Sequence, residues 1–339
     1  MRVLAVNTGS SSLKLALFDG GRRVADQSAA GLSAPAAFQG AFAAAAKLPA
    51  APPPGAVSHR LVAPLDWDDP RRIDAALLAE LRPLEALAPD HLPQALAAVA
   101  AAMQTWPQAA QIACSDSAFH ATLGESARTL PLPRAWRELG VRRFGYHGLS
   151  CESALAALRQ RDPALARGRI VVAHLGAGAS LTAIRDGRSL DTTMGFTPLG
   201  GLVMATRSGD LDPGVPLFLL RHHGLTPEAL NRGLNHEAGL LGLSSHSGDM
   251  KALLASSDPA AALAVEVFVR QARKHLGAMA AVLGGVDLLV FTGGIGEHAP
   301  EIRERITAGL DWMIPRTRVI PADEERILAS HALRMLSGA

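Results

Sequence analysis

The chain opens on a run of four apolar residues, Val3 to Val6. A polar, small-residue turn (Asn7 to Ser12) breaks it, and an alternation (Leu13, Leu15, Leu17) carries it to Asp19-Gly20. A continuous apolar run predicts a buried strand, strict alternation predicts a half-buried strand, and Gly/Ser/Asn clusters mark the turns that join them. A β-hairpin is therefore predicted at the start of the chain. The same grammar returns in Ile170 to Ala173, the turn His174 to Ser180, a second strand to Ile184, and Asp186-Gly187. His174, Gly176 and Asp186 repeat Asn7, Gly9 and Asp19 at a displacement of 167 positions (174 − 7, 176 − 9, 186 − 19). A constant displacement over strand, loop, strand and turn predicts an internal duplication, with each half opening its core sheet on the same hairpin.

Between the hairpins, Ala36 to Lys47 and Gln94 to Gln104 are rich in alanine and leucine and bounded by prolines, which predicts helices. Pro49 to Gly55 reads as a loop, because strand-like residues resume at once in Val57 to Val62. In the second half, predicted helices (Ser153 to Arg161, Pro227 to Gly233, Pro259 to Leu283) alternate with a buried strand, Val286 to Phe291. That strand runs into Thr292-Gly293-Gly294-Ile295-Gly296-Glu297, and a further helix is predicted from about Pro300. The class is α/β, with two related sheets expected to face a cleft.

Composition narrows the function. The length of 339 residues and a 48% hydrophobic content suit two cores. The net charge is +2, from 33 basic and 31 acidic residues, with no Lys/Arg-rich run, which argues against nucleic acid as a partner. Cys114 and Cys151 have neither CxxC nor metal-site spacing, which points to a reducing compartment. Val3 to Val6 falls short of the roughly 7 to 15 apolar residues of a signal h-region. No segment approaches the ~18 residues of a membrane span, so a cytoplasmic location with no membrane partner is expected.

A turn of small residues lets several backbone N–H groups converge on one anion, which is how phosphate is cradled. The chain has such turns at Gly9 to Ser12 and at Gly176 to Ser180, and a third, Gly293 to Gly296, at a strand–helix junction where a helix N-terminus favours negative charge. One such turn is what any hairpin needs; three at equivalent places predict a nucleotide site. No Gly-Lys dipeptide occurs, which excludes a P-loop, and no GxGxxG is followed by an acid about twenty positions on.

At this point the chain resembles acetate kinase and the related propionate and butyrate kinases, within the superfamily of actin, sugar kinases and the 70-kDa chaperones. The segments that carry the resemblance are VNTGSSSLK (6–14), SHRLV (58–62), SDSAFH (115–120), FGYHGLS (144–150), AHLGAGAS (173–180), DTTMGFTPLGGLVMATRSGDLDP (191–213), FTGGIGEHAPEIRERI (291–306) and VIPADEE (319–325). The resemblance implies two duplicated RNase H-like (actin-like ATPase) domains, 1–146 with 319–339 and 147–318. It also implies transfer of the γ-phosphoryl of ATP, with Mg²⁺, to a short-chain carboxylate, giving an acyl phosphate and ADP in a homodimeric enzyme. Residue by residue, it implies catalytic roles for Arg60, Asp116, His147, His174 and Arg207. It places Asn7, Ser10, Ser12, Lys14, His174, Gly176, Ala177, Gly178, Ala205, Asp249, Gly293, Gly294, Ile295 and Gly296 at the nucleotide and its phosphates. Asn7 and Glu324 are implied at the metal, and Arg60, Val62, Asp90, His91, Tyr146 and Pro198 around the acid.

For several of these residues a bland role competes. Glu324 stands among Asp323 and Glu325 and equally suits the acidic first turn of a helix. Asp249, in HSGDM, equally suits a helix N-terminus. The chain also departs from the family pattern. Ala63-Pro64-Leu65 replaces His-Gly-Gly, and Asp90-His91-Leu92-Pro93 replaces Leu-His-Asn-Pro. Ala177 replaces a ribose-facing asparagine, Ala205 a glycine of the adenosine wall, and Tyr146 a phenylalanine, and the stretch between Ile306 and Val319 is shortened. These departures leave open a different phosphoryl donor such as pyrophosphate, a longer or hydroxylated acid, or a weakly active nucleotide-binding homologue.

Overall fold

The computed structural model describes residues 1–9, 12–30, 40, 42 and 52–338. Most of the predicted helix Ala36 to Lys47, and Ser10, lie outside the described residues. Close packing divides the chain into two units. The first comprises Met1–Ala121, Gly148–Ser153 and Asp323–Ala339; the second comprises Thr122–His147 and Ala154–Ala322.

In the first unit, β1 (Arg2–Thr8), β2 (Ser12–Asp19), β3 (Arg22–Ala30), β4 (Ala56–Leu61), β5 (Arg71–Arg72) and β6 (Ala110–Ser115) form one sheet in the order β3-β2-β1-β4-β6-β5. The predicted hairpin is β1 and β2, paired antiparallel. Side chains alternate across a strand. Leu4, Val6 and Val57 thus enter a core with Ala98 and Ala102 of the helix Leu92–Thr105 and its C-cap Trp106, with Phe42 edge-on to Trp106 at 5.7 Å between ring centres. Asn7 takes the opposite face, as does Arg60 one strand over, and the helix Glu324–Ser337 packs on β1, β2 and β4.

The second unit holds β7 (Arg169–Leu175), β8 (Ala179–Arg185), β9 (Arg188–Thr192), β10 (Leu288–Thr292) and β11 (Thr317–Val319), in the order β11-β10-β7-β8-β9. Read from its other edge this is β9-β8-β7-β10-β11. It repeats β3-β2-β1-β4-β6 with the same pairing senses: antiparallel across both hairpin contacts, parallel across the next two. The duplication expected from the spacing is present as topology, and the class is α/β of the actin-like kind.

The spacing itself needs a correction. Asn7 pairs with Lys14, whereas His174 pairs with Ser180, so the second loop is one residue shorter. The left-handed pair closing the next turn is Gly20-Gly21 in one unit and Asp186-Gly187 in the other, a displacement of 166 (186 − 20). The displacement of 167 therefore holds up to the loop, and the Asp-Gly match beyond it is a coincidence of composition.

The predicted helices Pro227 to Gly233 and Pro259 to Leu283 are found as Pro227–Arg232 and Pro259–Leu283, the latter capped by Asp258 and closed by left-handed Gly284. The third Gly-rich turn is not a loop ahead of a helix. Gly293 to Gly296 already form the first turn of the helix Gly293–His298. Gly293 permits this: at φ +79° a Cβ would stand 2.8 Å from the Leu175 carbonyl oxygen, so only glycine brings this turn against the end of β7.

Candidate active site

In the first unit the predicted site residues stand near the carboxyl ends of parallel strands, where α/β sheets place their ligands. Asn7 is the penultimate residue of β1, Arg60 that of β4, and Asp116 follows β6. Arg60 donates from Nη2 to Asp116 Oδ2 (2.8 Å), and from Nη1 to Glu324 Oε2 (3.1 Å) and Asn7 Oδ1 (3.1 Å). The Asn7 amide donates in turn to Glu324 Oε2 (2.9 Å) and Glu325 Oε1 (2.8 Å). Asn7, Asp116, Glu324 and Glu325 are all buried. Burial by itself disfavours the Arg60 charge, but Asp116 and Glu324 outweigh it, and the guanidinium is held above its ordinary pKa. The guanidinium is thereby held in one orientation by two carboxylates.

Sequence reasoning named Asn7, Arg60, Asp116 and Glu324 and passed over Glu325. Its signal was the adjacent pair in VIPADEE, which a helix first turn explains equally well. The helix role is present: Glu324 and Glu325 open the helix Glu324–Ser337, whose N-cap Asp323 accepts from Arg326 N. The His59 that precedes Arg60 points away from the cluster. It is buried, bonded to Gln111 (2.9 Å), and held neutral by burial at a pKa of about 4.

The second unit gathers a different set. His147 sits at φ 60°, an uncommon conformation for a non-glycine residue. Its ring stacks on His174 at 4.1 Å between centroids, and its Nδ1 lies 2.9 Å from Ser180 Oγ. Ser180 was not foreseen as a partner; its signal was its place opposite His174 in the hairpin. A Cβ on Gly178 would come within 3.1 Å of His147 Nε2 and 3.5 Å of Arg207 Nη1, and one on Gly176 within 3.6 Å of His174 Nε2 and 3.7 Å of the Gly294 nitrogen. The turn Gly176 to Gly178 thus touches both histidines, Arg207 and the Gly293 helix. Arg207 also donates to the Pro198 carbonyl (3.3 Å).

Other predicted residues are placed as follows. Ala205 N donates to the Ala177 carbonyl (3.1 Å), and Asp249 caps the short helix Met250–Leu254 through Lys251 N. Ile295 lies in the Gly293 helix, and Lys14 is exposed on β2 opposite Asn7. Ser12 begins β2. Val62 is buried, and Asp90 and His91 sit half-buried in the turn before the helix Leu92–Thr105, all in the first unit. Tyr146, in the second, is buried and its hydroxyl donates to the Phe196 carbonyl (2.8 Å).

Residues 54–329 match the acetokinase family. The chain belongs to the acetokinase family. It is 44% identical over 308 residues to acetate kinase of Rhodopseudomonas palustris (strain TIE-1), covering 84% of this chain and 77% of that one. The crystal structure of Porphyromonas gingivalis acetate kinase superposes with a TM-score of 0.86 at 30% identity, over 99% of both chains. A propionate kinase from Francisella tularensis gives a TM-score of 0.87 at 28% identity, over 97% of this chain and 98% of the other. Among the described residues of this acetokinase, no group of three or more His, Cys, Asp or Glu side chains could hold a metal unaided, and no helix is long and apolar enough to cross a membrane.

Proposed function

We propose that this acetokinase is an ATP-dependent carboxylate kinase that phosphorylates acetate or a related short-chain acid, reversibly, to an acyl phosphate. The observation that carries the reading is Arg60 fixed by Asp116 and Glu324 in a chain of this family. A carboxylic acid is already ionised at neutral pH, so no base need remove a proton before its oxygen attacks the γ-phosphorus. As that P–O bond forms, the bond from phosphorus to the bridging oxygen breaks and ADP leaves with the electron pair. The obstacle is repulsion between two anions, and cations placed in advance lower it.

Arg60 is one such cation, and Asp116 orients it rather than acting as a base. Arg207 and the His147–His174 pair, against the turn Gly176 to Gly178, supply donors for the transferring group. The Gly293 helix and Ala177, Ala205 and Asp249 serve the nucleotide. Glu324 and Asn7 offer hard oxygen donors of the kind Mg²⁺ accepts, and Mg²⁺ typically takes only one or two carboxylates and completes its shell with phosphate and water. Bound with the nucleotide, the ion would neutralise phosphate charge; Asn7 meanwhile keeps Glu324 and Glu325 from separating.

The enzyme works in the cytoplasm as a homodimer on this reading. Val215, Leu217 and Phe218 of the helix Gly214–His222 are exposed together with Leu211, an apolar face of the kind that a second subunit covers. The other readings are less well supported: the relatives compared are acetate and propionate kinases, and Asn7, Arg60, Asp116, His174, Arg207 and Glu324 are all present. Hydroxylamine trapping of acyl phosphate, across a panel of acids with ATP, GTP and pyrophosphate, tests the proposal. Hydroxamate from acetate or propionate with Mg-ATP is the expected product; its absence with every acid would overturn the reading.

A further inference from the structure

Three contacts tie the start of the helix Gly148–Arg161 to the elements that carry the acids around Arg60. Gly148 N donates to the Asp116 carbonyl (2.9 Å), and the approach is so close that a Cβ at Gly148 would stand 2.5 Å from that oxygen. Ser153 Oγ accepts from the backbone N of Asp323 (2.9 Å), the N-cap of the C-terminal helix. Glu152 Oε2 lies 2.7 Å from His331 Nε2. His331 is buried seven residues after Glu324, two turns along the same inward face as Leu328.

We propose that Gly148 to Ser153 act as a template that sets Glu324 against Asp116 and Arg60, with the half-buried Glu152–His331 pair as its lock, so that Glu152 and His331 are positioning residues for phosphoryl transfer. The inference rests on reading Asn7, Arg60, Asp116 and Glu324 as catalytic machinery. The groups facing His331 are Glu152 from the helix Gly148–Arg161 and the Cys114 thiol from β6. Both favour the imidazolium and outweigh the burial that opposes it, so the lock is charged at neutral pH. Ser58 Oγ lies 3.3 Å from Cys114 Sγ, which continues the buried polar row to the strand that bears Arg60. A sub-ångström shift of the C-terminal helix would change the Glu324–Arg60 contact first, because both Arg60 Nη1 and Asn7 Nδ2 converge on the same Glu324 oxygen.

The test compares Glu152→Gln, His331→Gln and the double variant with Val99→Ala, a core truncation in the same unit that lowers stability without touching the cluster. Both single variants are expected to lower kcat at least tenfold while the KM for Mg-ATP moves less than threefold. The double variant should be no worse than the poorer single one, since both remove one interaction. Folded Glu152→Gln with kcat within twofold of Val99→Ala at matched Tm overturns the lock; as the near-isosteric change it decides even if His331→Gln does not fold. Arg60→Ala separates the two levels: if it keeps full turnover, the reading of the cluster fails, whatever the lock variants do.

Discussion

The backbone N–H of Ala205 donates to the carbonyl of Ala177 at 3.1 Å, so two positions where this acetokinase departs from the family pattern lie side by side in the second unit. Neither side chain can hydrogen-bond a ribose. The asparagine contact missing at Ala177 is worth about 0.5 to 1.5 kcal/mol net, or up to about tenfold in affinity. Ala177→Asn should therefore lower the KM for ATP several-fold, and that for GTP by a similar factor, because both carry the same ribose. Steady-state kinetics with both nucleotides check this; an unchanged KM for both would contradict it.

Arg60→Ala should fail twice. Loss of a cation at a phosphoryl-transfer centre costs on the order of 10³ in rate or more. It also leaves Asp116 and Glu324 buried without their counter-charge, a destabilisation of about 3 to 5 kcal/mol. Arg207→Ala differs, because Arg207 donates to the Pro198 carbonyl and near Met204 Sδ. Its kcat should fall as far while Tm changes little, and near-full turnover in folded Arg207→Ala would remove it from the site.

Two histidines set the pH window of stability from opposite sides. His331 has its pKa raised to about 10, against burial, by Cys114 and Glu152. Its contribution is complete below the unfolded value of 6.5 and is lost as pH rises towards 10. His59, lowered by burial to about 4, works in reverse: stability falls as pH drops from 6.5 towards 4, where the unfolded chain takes up the proton first. Thermal unfolding across pH should peak near the middle, and His331→Gln should flatten the alkaline limb alone.

Gly293→Ala should lower Tm and raise the KM for ATP together. The strain of φ +79° adds to the clash with the Leu175 carbonyl, and the Gly293 helix would move off the turn Gly176 to Gly178. Gly277→Ala, in the long helix with open space around it, is the matched control and should leave both unchanged or raise Tm slightly.

Asp90→Leu tests the acid pocket. The Tyr146 hydroxyl is committed to the Phe196 carbonyl, so Asp90 is the departure that bears most on acceptor choice. If it faces the acid, leucine should lower the KM for acetate or propionate by about tenfold, the scale of an apolar contact of roughly 1 to 3 kcal/mol; an unchanged KM for every acid would place Asp90 elsewhere.

Residue patterning specified the hairpins, the long helix Pro259–Leu283 and the α/β class, because alternation, apolar runs and proline or glycine boundaries act over a few residues. It also named Asn7, Arg60, Asp116, His147, His174 and Arg207, through segments whose residue order is distinctive. Which of them meet is settled by the packed fold. Glu325 joins Asn7 across 318 positions, and His331 meets Glu152 across 179. Nothing local records such pairings: they depend on strand register and on which helix covers a face, quantities fixed by the packing of the whole unit. The one-residue shortening of the second loop was hidden for the same reason, since an Asp-Gly turn occurs in both halves and only hydrogen-bond register shows that the two turns are not equivalent.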